Sequence, residues 1–270
     1  PPHPARIAAP RHPATSILAN HAARAQLPHP MPPPSIDGVL LVDKKPGITS
    51  HDIVDLVRRR FRLPKVGHCG TLDPIATGLI LLVIGRGTKI QDLLMAEDKT
   101  YAGTLTLGTA TDSQDVTGKV IEEHPVPAFS PEQIREAFAR FHGDFHQLPP
   151  MVSALKKDGV PLYKLARQGK TVEREPRLVH VYRHEVGRIE LPDVDFVVEC
   201  SKGFYVRTYC HDIGHALGCG GHMKALRRTR SGNFHIEDAI SVERLEQLES
   251  LVELEPHILS LPEVSRIRRS

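Results

Sequence analysis

Apolar positions recur at three- and four-residue spacing after Thr49 and Ser50. Ile53, Leu56, Val57 and Phe61 predict a helix capped by one of those two hydroxyls. Ser130-Pro131-Glu132-Gln133 is a capping box with proline at the first helical position, and Ile134, Ala137, Phe138 and Phe141 continue it at helical spacing. Elsewhere the pattern is that of strands. Val39 to Val42 is a short one, and the unbroken apolar run Leu79 to Ile84 is a buried one. Thr100 to Leu107 alternates, with Tyr101, Gly103, Leu105 and Leu107 on one face. Leu178 to Val186 and Phe196 to Cys200 are further strands. Gly203 to Val206 leads into a helix near Thr208 to Leu217, and Val242, Leu245 and Leu248 mark a short last helix. Strands joined by hairpin-like and helical links, without regular βαβ alternation, predict an α+β fold with a mainly antiparallel sheet.

Three stretches stand apart from this pattern. Residues 1–36 are rich in proline and poor in core-forming side chains, which predicts a flexible extension, with Met31 near the natural start. Residues 149–177 are basic and polar, carry a Lys157-Asp158-Gly159 turn, and read as an insertion with a helix from Pro161 to Gln168 ended by Gly169. Residues 251–270 read as a short C-terminal tail, which leaves 37–250 as the expected main domain.

With 270 residues, 40% of them hydrophobic, the chain is long enough to bury a substantial core, and no apolar run is long enough to cross a bilayer. Four cysteines without paired secretory spacing fit a reduced, cytoplasmic protein. The formal net charge of +3 is small, but the basic residues are segregated. They bunch at Arg58 to Lys65, at Lys156 to Arg177 and at Lys224 to Arg230, a distribution that fits equally a positive field focused on one face and a set of solvated helix faces.

The run Gly67-His68-Cys69-Gly70-Thr71-Leu72-Asp73-Pro74 places one carboxylate on a loop stiffened by proline and turned by glycine. It comes after Asp43-Lys44-Lys45-Pro46-Gly47-Ile48-Thr49-Ser50 and precedes Gly85-Arg86-Gly87-Thr88-Lys89. Later blocks are Asp98-Lys99-Thr100-Tyr101, Thr109-Ala110-Thr111-Asp112-Ser113-Gln114-Asp115, Pro149 to Gly159, Gly203-Phe204-Tyr205-Val206-Arg207-Thr208 and Leu226-Arg227-Arg228. This ordered array resembles the bacterial tRNA pseudouridine-55 synthases of the TruB family, over nearly everything from Gly38 to about Leu248.

The resemblance implies a pseudouridine synthase fold, a mainly antiparallel mixed sheet flanked by helices, with a thumb-like RNA-binding segment at 149–177. It implies isomerisation of uridine in the T-arm loop of tRNA without cofactor or metal. Asp73 matches the family's nucleophile, and attack on C6 of the base or C1′ of the ribose is open to it. Arg207 matches the arginine expected to keep that carboxylate ionised by holding its pKa low, and Tyr101 the tyrosine lying over the flipped base. Tyr205 and Leu226 align with the pocket wall, His68 would lie near the RNA and hold the flipped nucleotide, and Lys89 is expected as a phosphate contact or a structural cation near the active loop. Lys156, Lys157, Lys164, Arg167, Lys170, Arg227 and Arg228 would grip RNA. The partner implied is the tRNA T stem-loop, bound by a monomer without an obligate protein partner or a membrane.

Two other readings compete. The retained Asp73, Tyr101 and Arg207 argue against a tRNA-folding protein that lacks catalysis. Cys210, His211, His215, Cys219 and His222 are zinc-ligand types, but no His-Glu-x-x-His or Cys-x-x-Cys spacing occurs among them. Cys69 is read as a small packing residue.

Overall fold

In the computed structural model of the chain, residues 36–153, 155–157, 159–168 and 172–269 are described. The proline-rich extension expected over 1–36 lies outside these but for its last residue, as do Gly169 and Lys170.

The elements that place the site are, in chain order, β1 (Gly38–Lys44), α1 (Ser50–Arg60), β2 (Val66–Cys69), β3 (Thr77–Ile84), β4 (Lys99–Leu107), α2 (Pro131–Ala139), β5 (Gly143–Gln147), β6 (Arg177–Glu190), β7 (Asp193–Cys200), α3 (Val206–Ala216) and β8 (Gly221–Ser231). Thr49, not Ser50, caps α1: its hydroxyl accepts from the Asp52 amide at 3.1 Å, and the Asp52 carboxylate accepts from the Thr49 amide at 2.7 Å. Ser130 and Gln133 form the same reciprocal box on α2.

One large sheet runs in the order β1-β3-β8-β4-β7-β6-β5, with the two-residue strand Ile240–Ser241 outside β1. Its pairings are antiparallel except β3 with β8 and β1 with Ile240–Ser241. Two of these strands escape periodicity. β2 is four residues long, and β8 is interrupted by register shifts at Met223/Ala225 and Arg228/Arg230 that break its alternation.

β3 is the seam of the sheet. One edge pairs with β1 from Gly78 to Ile84. The other is shared, its C-terminal half with β2 and its first two residues with β8. At the β8 contact a Cβ on Gly78 would sit 2.3 Å from the Arg228 carbonyl oxygen, and its φ is +100°, so only glycine serves there.

Both faces of the β1/β3 pair are covered. Leu40, Val42, Ile80 and Leu82 pack against Ile53 and Val57 of α1 and against Leu245 and Leu248. Val39, Leu41, Leu79 and Leu81 pack on the other side with Leu94, Phe234 and Val264. This is why Leu79 to Ile84 is apolar without alternation. The helices α2 and α3 cover one face of the other half of the sheet, where Leu105, Phe138, Phe196, Tyr209 and Ile213 form the core. Residues 251–269 also pack on this frame: Ile258–Leu259 pairs with β1, and the helix Leu261–Ile267 buries Val264. No described helix is long and apolar enough to cross a membrane.

Candidate active site

Residues 70–76 bridge β2 and β3 at the point where the β3 edge passes from β2 to β8, and contacts from Ser50, Gly47 and Lys44 fix their path. The Leu72 amide donates to Ser50 Oγ at 2.9 Å, and that hydroxyl lies 3.2 Å from the Leu72 carbonyl oxygen, to which it donates. The Gly47 amide donates to the Pro74 carbonyl at 2.8 Å. Lys44, fully buried, donates from Nζ to the carbonyls of Ala76 at 2.6 Å and of Pro74 and Lys45 at 3.1 Å each. All three ammonium hydrogens are thereby used. Burial pulls the Lys44 pKa down to about 8, against the favourable charge of Asp73.

Asp73, at the tip of this bridge, faces Arg207, the second residue of α3. Arg207 Nε lies 2.9 Å from Asp73 Oδ2, and Nη2 donates to Oδ1 at 3.1 Å. The arginine side chain is 4% exposed and the aspartate side chain 33%, so the cation forms the floor and the carboxylate stays open to a ligand. Arg207 is held by more than its partner. Nη1 donates to the Ser113 carbonyl at 2.9 Å and Nη2 to the Val152 carbonyl at 2.7 Å. Asp115 Oδ2 lies 3.8 Å from Nε. The other Asp115 oxygen accepts from the Thr117 amide and hydroxyl and from Ser113 Oγ at 2.9, 2.6 and 2.8 Å.

Burial pushes the Asp73 carboxyl above the usual carboxylate range; Arg207 opposes the rise, and the nearby Asp115 charge adds to it. The expectation of a low pKa is therefore corrected. The guanidinium moderates a desolvation that outweighs it.

A cleft of about 370 Å³ opens above this pair. Tyr101, Tyr205, Phe204, Leu226 and Lys99 wall it, and Arg228 closes its base. Tyr101 and Leu226 come from neighbouring strands: Tyr101 pairs with Arg228, and Leu226 with Gly103. Both tyrosine hydroxyls are pushed up in pKa by burial and stay neutral. Lys99 donates to the carbonyls of Met95 and Glu97, and burial pulls it down to about 8. Gln147, the last residue of β5, brackets the Tyr205 backbone: Oε1 accepts from the Tyr205 amide at 2.7 Å, and Nε2 donates to the Tyr205 carbonyl at 3.0 Å.

Asp73, Tyr101, Arg207, Tyr205 and Leu226 thus meet in one cleft. His68 lies in an adjoining pocket of about 260 Å³ that shares Gly70, Thr71 and Met95 with the cleft; its Nδ1 is buried without a partner, and burial lowers its pKa. Lys89 is corrected. It lies past the far end of β3, beside Lys65 and Arg86 in a separate depression, an eight-residue strand (roughly 26 Å at ~3.3 Å per residue) from the Asp73 end. Arg228 is also corrected as a surface phosphate contact. At 1% exposure it donates from Nε to the Leu79 carbonyl at 2.6 Å and from Nη2 to the Gly70 carbonyl at 3.0 Å, which makes it a brace of the active bridge. Arg227 points to the other side of the sheet, paired with both Asp43 oxygens at 3.0 and 2.7 Å. In the insertion Lys164 is exposed; Lys156 and Lys157 lie in a two-stranded ribbon and Arg167 ends the helix Leu162–Arg167.

The cysteine and histidine types do not converge. His211 and His215 pack ring to ring at 4.2 Å, and among the described residues no group of three or more His, Cys, Asp or Glu side chains is placed to hold a metal ion. Cys69 is buried, and its thiol is pushed up to about 12 by burial, the state of a packing residue.

Lys44, Asp115 and Gln147 are site-building residues that sequence reasoning missed. Lys44 and Asp115 lie inside motif blocks, so a signal existed; Gln147 ends a short strand of mixed polarity and gave none.

A large mixed sheet flanked by helices is the fold of the pseudouridine synthases. In the crystal structure of a Cbf5-Nop10-Gar1 complex, a chain 34% identical matches with a TM-score of 0.60 over 76% of this chain and 52% of that one. In the archaeal box H/ACA sRNP Nop10-Cbf5 complex the values are 28%, 0.60, 86% and 61%. The present chain therefore spans about half to three-fifths of those chains.

The chain belongs to the TruB family of pseudouridylate synthases. Residues 58–206 match the N-terminal domain of that family and residues 207–262 the C-terminal domain of tRNA pseudouridylate synthase B. It is 51% identical over 228 residues to the tRNA pseudouridine synthase B of Opitutus terrae, covering 84% of this chain and 94% of that relative. With the Geobacter sulfurreducens protein of the same name it shares 50% over 213 residues, 79% of this chain and 70% of the relative.

Proposed function

We propose that this chain isomerises uridine to pseudouridine at position 55 in the T-arm loop of tRNA, with Asp73 as covalent nucleophile on a flipped-out nucleotide. The observation that carries the reading is the Asp73–Arg207 pair: one carboxylate left one-third open, over a cation that is 4% exposed. In the reaction the N1–C1′ bond breaks, a C5–C1′ bond forms, the C5 hydrogen leaves as a proton, and N1 takes one up. No redox partner is needed. The ionised Asp73 forms and then releases a covalent bond to the nucleotide. Arg207 holds its charge and direction, Tyr101 stacks on the base and stands where the C5 proton departs, and Tyr205 and Leu226 replace the stacking lost on flipping.

The RNA reaches this cleft across the basic insertion, with Lys156, Lys157, Lys164, Arg167 and Lys170 on phosphates and His68 beside the displaced nucleotide. The reading extends to a cytoplasmic monomer that needs no protein partner. The test is tritium release from tRNA carrying tritium at uridine C5. Release at a single site, lost in Asp73→Asn while tRNA is still bound, is the expected result. Absence of release by the unaltered chain would refute the assignment.

A further inference from the structure

We infer that Gln147 is a positioning residue for the isomerisation: by holding the Tyr205 backbone at the start of α3, it sets the Tyr205 ring in the cleft wall and Arg207 against Asp73. The inference rests on the proposed isomerase function.

Tyr205 is the N-cap of α3, with extended backbone (φ −110°, ψ 107°) and no capping hydrogen bond from its own side chain. The first amides of a helix need outside partners, and an N-cap is ordinarily fixed by its own Ser, Thr, Asp or Asn oxygen. Here the fixing comes from another strand. Gln147, 1% exposed, accepts from the Tyr205 amide at 2.7 Å and donates to the Tyr205 carbonyl at 3.0 Å. That carbonyl also accepts from the Tyr209 amide at 3.0 Å, so both of its lone pairs are used. A neutral primary amide at the end of a two-carbon stem supplies donor and acceptor together; an ionised carboxylate of the same length supplies acceptors alone.

This hold bears on chemistry because Arg207 is only two residues beyond Tyr205. The Arg207 guanidinium must reach Asp73, Ser113 O and Val152 O at once. A rotation of the Tyr205 peptide moves the tyrosine ring and the arginine together. Gln147 is also the root of the basic insertion: it pairs with Arg177 across β5 and β6, so the two ends of that segment meet at this residue. Arg174 ties the same two ends by donating to the Pro149 carbonyl at 2.8 Å. The insertion and the catalytic helix are therefore fastened at two points, Gln147 to Tyr205 and Val152 to Arg207.

The experiment uses the full chain and C5-tritiated tRNA under single-turnover conditions, with Gln147→Leu and Gln147→Glu. Gln147→Leu is expected to melt cooperatively and bind tRNA within about threefold of the unaltered protein. Its release should be slower by about 30-fold or more, as misplacement near 1 Å costs on the order of 10²-fold. Hydrogen exchange at the Tyr205 amide should lose protection. Gln147→Glu carries the sharper signature: at this buried position desolvation raises the carboxyl's pKa, so its rate relative to the unaltered protein should climb as pH falls from about 8 to about 5.5 and the protonated carboxyl regains the donor to Tyr205 O. A folded Leu variant within about tenfold of the unaltered rate, or a Glu ratio flat across that range, overturns the inference. If the Leu variant does not fold, the Glu ratio decides alone. No release by the unaltered chain refutes the proposed function; an active chain with unaffected variants refutes only the role of Gln147.

Discussion

Replacing Arg207 by methionine separates the charge held under Asp73 from the shape of the cleft. The Nε–Oδ2 and Nη2–Oδ1 separations of 2.9 and 3.1 Å correspond to roughly 5 kcal/mol of attraction at an effective dielectric of ~20. Asp73 is one-third open to solvent, and discounting for screening leaves about 2–3 kcal/mol, which at ~1.4 kcal/mol per decade is roughly 10²-fold in the reactive ionised form. Ser113 O and Val152 O also lose their donor, at about 1–3 kcal/mol for each carbonyl left buried and unpaired. Arg207→Met should therefore slow single-turnover tritium release by about 10² or more near neutral pH and lower the melting temperature. The pH dependence carries the sign. Asp73 reacts ionised, and its carboxyl already sits above the usual range because of burial. Without the cation it protonates at still higher pH, so the deficit of the Met variant should shrink as pH rises from about 6 to about 9. Arg207→Lys, which keeps the charge but lacks a planar fork for three acceptors, should fall between the two. A folded Met variant within about threefold of the unaltered rate, or a deficit that does not shrink with pH, would refute the electrostatic role.

The same contacts set further outcomes. Arg228→Gln should lower activity and stability without changing the salt dependence of tRNA binding, whereas Lys164→Ala should reduce that log–log slope by about 0.7–0.9 with folding intact; the reverse pattern would restore Arg228 to the RNA surface. Lys44 has a folded pKa of about 8 against 10.5 unfolded. Between those values the unfolded chain holds the proton and the folded one does not, so on this group's account stability should rise by up to roughly 3 kcal/mol as pH climbs from about 8 to 10.5, and stay flat below that window. Urea midpoints of Lys44→Met should lack that dependence, with the part due to Lys99 remaining. All four cysteines are buried, so a thiol reagent at about pH 8 should find none until the protein is unfolded, and early reaction at Cys69 would contradict its packing.

Much of this site was legible in the chain because its residues sit in motifs whose local grammar is strong. Asp73, Tyr101 and Arg207 come from separate blocks, and the pattern also located α1, α2 and the buried β3. What escaped was set by tertiary context. The two register shifts in β8 hid a central strand inside what read as a basic cluster. Arg228 and Lys44 look like surface cations, because nothing local tells that backbone carbonyls wait for them in the interior. Lys89 failed for the opposite reason: it is near the Asp73 run in sequence, but a full strand carries it away.

The strand order also has a consequence for biosynthesis. β8, which supplies Leu226 and Arg228, lies between β3 and β4, yet the ribosome makes it well over a hundred residues after both. A nascent chain that already contains Asp73 and Tyr101 has no active site; it has two strands whose facing edges lack their partner. Non-local pairings of this kind are slow to form and leave edges open to aggregation in the interval. Truncation anywhere before Ser231 should thus yield an insoluble or chaperone-bound product and not a weakened enzyme, because the last central strand to be translated is the one that joins the two halves of the sheet.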